Sequence, residues 1–522
     1  MTYSVKLLVV GATILWLLFR VSQVLLGRFS ARHVRSAGQL LGWFGSLRVY
    51  LRSFHDCQNV VEMGYRAYSK HGEVFQFDDA IDGHVYIVPH HLLQEFLSTS
   101  DEKLNTIAAL DDSRLGRTTH LLPTLVSDPY FVLITRTKLT RALNDCLEEM
   151  NEEVVASFQD IFTCASAKVQ KVTLYETAVR VIARTSSRKF VGEELCRNEG
   201  YIENIEGYAG DVMFSSFFLK ALPLLIRKIV EPIVLLPNKR RHRTAHKYLD
   251  PIIERRMRLL EKGEDGDKPT DMLQWMLEQA RRRPGQYSAK RLVPYMMVVN
   301  FVSLDSSAGQ FTQLIFNLAA HPEATKIWEE LRQEAISVLE ANENRWTKQV
   351  LLDLRKTDSA IRESMRMYPF GSFVSRRKVV HKDGFTFSDG THIRPGAIAA
   401  APQYSIHHDE DFYHNANSYE PYRFLDMRAS SSSDKDRSSH LASSQLSANA
   451  TSTEWMPYGH GKHACPGRFF NAAEQKMMLV HLVRNFELVP RSRPENVWIG
   501  ANLSPDRNAT ISFKRRREGD IV

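Results

Sequence analysis

The apolar stretches of the chain differ in texture, and the difference sorts them into elements. Leu7 to Leu26 is mainly apolar, through Leu7, Leu8, Val9, Val10 and the run Ile14 to Phe19, and is interrupted late by Arg20. About twenty such residues cross a bilayer as a helix, and a late arginine can snorkel to the interface. This predicts a transmembrane anchor over residues 1–27. Leu292 to Ala320 instead carries Asn300, Gln310, Gln313 and Asn317 among its apolar positions, with Asp305 as its one formal charge. That is too polar for easy insertion, so these 29 residues predict ~43 Å of helix buried through a protein core. Val212 to Leu236 is strongly apolar too, but Lys220, Arg227, Lys228 and Glu231, together with Pro223, Pro232 and the following Pro237, argue against a second span.

Shorter patterns predict a helix over Val60 to His71, strands at Glu73 to Phe77 and Val85 to Val88, a helix after Pro89, and a long amphipathic helix between Arg136 and Val155. Phe385 to Ile393 reads as a hairpin turning at Asp389-Gly390. From Arg468 onward Phe469, Phe470, Ala473, Met477, Val480 and Leu482 recur at helical spacing, with Pro466 where proline suits a first turn. Residues 28–59, with Trp43, Phe44 and several arginines, read as a linker or interfacial segment. Ala429 to Thr453 is rich in Ser with Asp, Lys, Arg and Asn, and reads as a disordered loop.

Length alone, at 522 residues, suggests two or three domains, and the 43% hydrophobic content is ample for a large core. Cys57, Cys146, Cys164, Cys196 and Cys465 show no paired spacing, which fits a reducing compartment rather than a disulfide framework. The net charge of +8 suits an anionic membrane surface or an acidic redox partner, and there is no nucleic-acid motif. Lys6 precedes the apolar run while Arg28, Arg32 and Arg35 follow it, which places the bulk of the chain in the cytosol. No small-residue cleavage site follows the run, so an uncleaved anchor is expected rather than a signal peptide.

The informative chemistry lies at Tyr458-Gly459-His460-Gly461-Lys462-His463-Ala464-Cys465-Pro466-Gly467. One cysteine sits in a glycine-hinged loop at a helix N-terminus, where backbone N–H groups and the helix dipole favour a thiolate. Gly459, Gly461 and Gly467 permit close approach of a flat cofactor. A buried structural cysteine and a cysteine paired with His460 or His463 remain open on these residues alone. A zinc site is disfavoured because no second cysteine lies nearby.

This segment resembles the haem-binding signature of the cytochrome P450 family, Phe-Gly-x-Gly-x-(Arg/His)-x-Cys-x-Gly, with Tyr458 in place of Phe. Asp305-Ser306-Ser307 resembles the family's distal-helix pattern (Ala/Gly)-Gly-x-(Asp/Glu)-Thr-Thr, departing from it at Val302, Ser303 and the serines. Glu363-Ser-Met-Arg366 and Pro421-Tyr-Arg423-Phe424 match two further elements in order and spacing. The resemblance covers nearly everything after residue 60 and implies one large haem domain over 60–522, mainly α with smaller β-sheets.

By that resemblance Cys465 is the axial thiolate ligand of heme b, and His463 and Arg141 reach haem propionates, with Arg376 or Arg377 as a further candidate. Asp305 and Ser306 form an acid–alcohol pair that passes protons to dioxygen. Glu363, Arg366 and Arg423 form a structural ion cluster, Phe370 to Val374 line the substrate cavity, and Val212 to Leu236 roofs it and touches the membrane. The implied function is oxidation of an apolar small molecule with O2 and electrons from an NADPH-dependent reductase. The implied location is the endoplasmic reticulum membrane, single-pass, with the catalytic domain cytosolic. The cysteine loop looks most like filamentous-fungal members, which oxidise terpenoids or other secondary metabolites. Alternatives are a haem-thiolate isomerase or dehydratase working on peroxides without reductase, and a non-catalytic haem or lipid binder.

Overall fold

Helix Ala289–Ala320 is the axis of the protein. Helices Leu174–Phe190, Glu199–Lys220, Leu236–Lys262 and Arg355–Met367 pack around it. Its apolar side chains are buried along most of its length, as the absence of charge outside Asp305 predicts. It stops at His321, whose extended backbone is what a following Pro322 requires. The computed structural model describes residues 34–41, 45–79, 81–163, 168–220, 222, 224–263, 268–431 and 446–517. The expected anchor over 1–27, Trp43, Phe44, Cys164 and most of the Ser-rich stretch lie outside them. Among the described residues no helix is long and apolar enough to cross a membrane.

The helices flank a mixed six-stranded sheet, in the order Arg35–Ser36, Phe75–Asp79, Gly83–Ile87, Ile398–Ala401, Val374–Val379, Leu104–Asn105. Phe75, Phe77, Val85 and Ile87 bury one face of its hairpin. Gly83, at φ +76°, takes the left-handed turn conformation at the start of the return strand. A second sheet joins Val169–Thr173 to Thr510–Arg515 and Phe486–Leu488. Strands Phe385–Thr386 and His392–Ile393 pair antiparallel about Gly390, as the Asp-Gly signal predicts.

Three expectations are corrected. Residues described before position 60 are not a separate linker: Arg35–Ser36 pairs in parallel with Phe75–Gln76, and Ala37, Val49 and Cys57 are buried in the same core. The helix expected between Arg136 and Val155 is broken. It runs as Tyr130–Ile134, a π-turn at Thr135–Leu139, two short turns, and then helix Leu147–Ile161. The stretch Ala429 to Thr453 is ordered at both ends. Helix Arg423–Ser431 enters it, and beyond it Ala448 is buried with its N–H donating to Asp358. The Asp358 carboxylate also holds Lys476 and Arg428, so a charge cluster ties down the two described ends of the stretch.

Candidate functional site

Helix Arg468–Asn485 begins three residues after Cys465. Pro466 therefore lies just before the helix rather than in its first turn. The Cys465 N–H donates to the Tyr458 carbonyl at 2.8 Å, which closes the loop, and Gly459 and Gly461 hold φ +68° and +73°. A Cβ on Gly459 would come within 3.1 Å of Ser375 Oγ, so the loop passes close under the neighbouring strand. Cys465 is the exposed one among the described cysteines, while Cys57, Cys146 and Cys196 are buried. Surrounding protein pushes the Cys465 thiol up, against the lowering effect of the Gly467 and Arg468 backbone and the Arg468 charge. The helix N-terminus and desolvation thus act on the thiol in opposite senses, and a metal cation at the sulfur would favour the thiolate.

Arg141 is exposed, in a short turn with no buried residue. Arg136, from the π-turn, meets the cysteine loop instead, its Nη2 donating to the Lys462 carbonyl at 2.8 Å, and Arg468 Nη1 donates to the Cys465 carbonyl at 3.0 Å. A π-turn inside a helix is a common mark of a functional site, but nothing local in sequence distinguishes Arg136 from Arg141. His463 Nε2 lies 2.6 Å from Asp101 Oδ1. Asp101 also meets Lys462 at 3.5 Å and Arg377 at 3.1 Å. Burial lowers the His463 pKa, and Asp101 opposes the effect. Arg377, fully buried, spends its other donors on the carbonyls of Phe96, Thr99 and Leu104, while Arg376 pairs with Asp82 at 2.8 Å. Arg377 is therefore the member of the pair that adjoins the loop.

A cavity of about 450 Å³ opens beside the central helix. Phe54, Met213, Phe217, Phe370 and Leu503 make its walls apolar, and Asp305, Gly309 and Gln310 supply its floor. Such a volume suits a small organic ligand. A Cβ on Gly309 would meet only Pro505, at 3.8 Å, so the helix is open there. Asp305 lines the cavity and is paired: Tyr175 Oη donates to its Oδ1 at 2.5 Å and Arg507 Nη2 at 2.7 Å. Burial and the Asp305 charge push the Tyr175 hydroxyl pKa up. Ser306 is half-buried and makes no hydrogen bond to protein through its hydroxyl among the described residues.

Two side chains of the post-cysteine helix tie the loop to the central helix. Asn471 Nδ2 donates to Gln310 Oε1 at 3.0 Å and to Tyr458 Oη at 2.8 Å, and Gln475 Nε2 donates to the Ser307 carbonyl at 2.9 Å. The Tyr458 hydroxyl was the sequence signal for this connection, since a buried phenol needs a partner. An accessible sulfur, a glycine-lined loop and a helix opened at Gly309 fit a flat prosthetic group whose metal takes a thiolate.

Behind the loop, Arg366 grips Glu363 with both Nε and Nη2 at 2.8 Å, and Arg423 Nε reaches Glu363 Oε1 at 3.0 Å. Glu363 and Arg366 are 0% exposed. Arg366 also donates to the His407 and Ala416 carbonyls, which fixes the segment that leads toward the cysteine loop.

The sequence profile of the family described as Cytochrome P450 matches residues 47–510. The chain is 35% identical over 484 residues to Cytochrome P450 monooxygenase 151 of Postia placenta, covering 92% of each. It is 29% identical to Cytochrome P450 monooxygenase gloP of Glarea lozoyensis, covering 91% of this chain and 89% of that one. Among solved structures, a retinoic acid bound cyanobacterial CYP120A1 superposes with a TM-score of 0.61 at 18% identity, over 89% of this chain and 96% of the other.

Proposed function

The chain belongs to the cytochrome P450 family of oxygen-incorporating oxidoreductases, and on that premise we propose that it oxidises an apolar small molecule, terpenoid-like or otherwise of fungal secondary metabolism. Its electrons come from an NADPH-dependent reductase, and it works at the endoplasmic reticulum membrane with its catalytic domain in the cytosol. The observation that carries this reading is the accessible Cys465 in its glycine-hinged loop, tied through Asn471 to Gln310 of the helix that floors an apolar cavity. Haem held by Cys465 supplies the activation of dioxygen, which a thiolate ligand favours by donating electron density. Arg136, Arg377 and His463 surround the loop with positive charge or hydrogen-bond donors suited to the propionates. Co-expression with such a reductase, followed by a screen of lipophilic extracts for mass gains of one oxygen, tests the reading; product formed without NADPH and reductase sinks it.

Asp305 and Ser306 are proposed to deliver protons in the cavity, with Arg507 and Tyr175 both hydrogen-bonded to Asp305 Oδ1 and so orienting its carboxyl. Removing a general acid typically costs 10²–10⁴ in rate. Asp305→Asn is therefore expected to slow turnover by roughly 10²-fold and to divert NADPH into peroxide. Peroxide release equal to that of the wild type removes the role.

The proposed membrane contact has two parts. Helix Leu224–Val234 has no buried residue, and Leu225, Ile229 and Ile233 are exposed together with Phe214 and Phe217. A contiguous apolar patch of this kind beside Arg227 and Lys228 suits insertion into a lipid interface. Because Phe214 and Phe217 also line the cavity, apolar substrate has a direct route from lipid. Protein lacking residues 1–27 should bind anionic vesicles more weakly than the full chain, and Leu225→Asp with Ile229→Asp should remove the remainder. Equal vesicle binding by all three argues against both contacts.

A further inference from the structure

We infer that Gln310 presents its amide N–H to the cavity and recognises an acceptor oxygen, a carbonyl or ether, on an otherwise apolar substrate. The inference rests on the monooxygenase reading and adds a polar feature to the substrate class. It follows from a chain of hydrogen bonds whose polarity is set at one end. The Ser307 carbonyl can only accept, so the Gln475 atom 2.9 Å from it is the amide nitrogen. That nitrogen also lies 3.4 Å from Asn471, which must turn its oxygen toward it. The Asn471 nitrogen then faces the other way and donates to Tyr458 Oη and to Gln310, whose oxygen is thereby consumed. What remains for Gln310 is Nε2, with two N–H donors and no protein acceptor among the described residues.

Gln310 is 8% exposed, and it lines the cavity. Amide orientation is usually ambiguous, but here a backbone carbonyl decides it through three side chains. A buried donor left without an acceptor costs stability, and a ligand oxygen that satisfies it gains selectivity over a hydrocarbon of the same shape. Gln310 stands one turn beyond Ser306 on the same helix, about 6 Å along its axis. An oxygen held at Gln310 would thus set which carbon lies beside the Asp305–Ser306 pair. Asn471, Gln475 and Tyr458 act as positioning residues.

The test uses the haem-loaded full chain and two matched probe pairs, 2-decalone with decalin and cyclododecanone with cyclododecane, titrated against the haem absorption change on ligand binding. The ketone-to-hydrocarbon affinity ratio is expected to fall roughly five- to tenfold in Gln310→Met, with hydrocarbon affinity retained. Asn471→Ala, which leaves Gln310 in place but frees its amide to turn, should lower the ratio by a smaller factor. A ratio unchanged in Gln310→Met, an equal loss for ketone and hydrocarbon, or no response to any of the four probes overturns the assignment. Failure of the underlying reading is seen separately, as a reduced carbon monoxide complex without the red-shifted band of thiolate-bound haem.

Discussion

Cys465→Ser is expected to abolish the red-shifted Soret band of the reduced carbon monoxide complex, and monooxygenase turnover with it. The hydroxyl that replaces the thiol is far harder to ionise and donates less electron density. The surroundings sharpen the expectation. Desolvation pushes the Cys465 thiol up against the Gly467 and Arg468 backbone and the Arg468 charge, so a metal at the sulfur would be what favours the anion there. The other described cysteines provide the contrast. Cys57, Cys146 and Cys196 are buried where Cys465 is exposed, so none of the three competes as a ligand. Serine at any of these three should leave the band in place. Retention of the band in purified Cys465→Ser protein overturns the site.

Glu363→Gln is expected to be the most destabilising single change away from the cysteine loop. Two guanidiniums converge on this one carboxylate, Arg366 with two bonds at 2.8 Å and Arg423 with one at 3.0 Å. The Glu420 N–H adds a fourth contact at 3.2 Å. Neutralising the acid leaves the Arg366 cation without its carboxylate at 0% exposure, while Arg423 keeps Glu420 at 3.1 Å. Breaking such a pair from one side costs about 3–5 kcal/mol, because the partner's charge is left without compensation. The urea midpoint followed by tryptophan fluorescence should drop accordingly, and haem retention should fall with it. Arg423→Lys should cost less, since it leaves the Glu363–Arg366 fork intact. A midpoint for Glu363→Gln within the scatter of the wild type shows that the cluster contributes nothing to the fold.

How much of this was legible in advance depended on whether the partners were neighbours in sequence. The Glu363–Arg366 fork follows from a separation of three on one helix, but its weight came only with Arg423, sixty positions away. At the described ends of the Ser-rich stretch the structure adds to what composition reports, which is what a segment can do alone. Asp358, with Lys476 and Arg428 around it, offers Ala448 an acceptor that composition does not contain. The long amphipathic helix expected after Arg136 failed for a different reason. Apolar periodicity marks which face is buried, and it does not register a π-turn that widens the backbone without changing the pattern.

Local chemistry by itself determined the course of helix Ala289–Ala320, the hairpin at Asp389-Gly390 and the cysteine loop, because each depends on charge content, turn residues or spacing within a few positions. Tertiary structure alone decided that Arg136 and not Arg141 meets that loop. It likewise decided that Asp305 is held by Tyr175 and Arg507, and that Gln310 turns its nitrogen to the cavity. Those outcomes join residues 130 to 326 positions apart, and only packing of the folded chain brings donors and acceptors at such separations within 3 Å of one another.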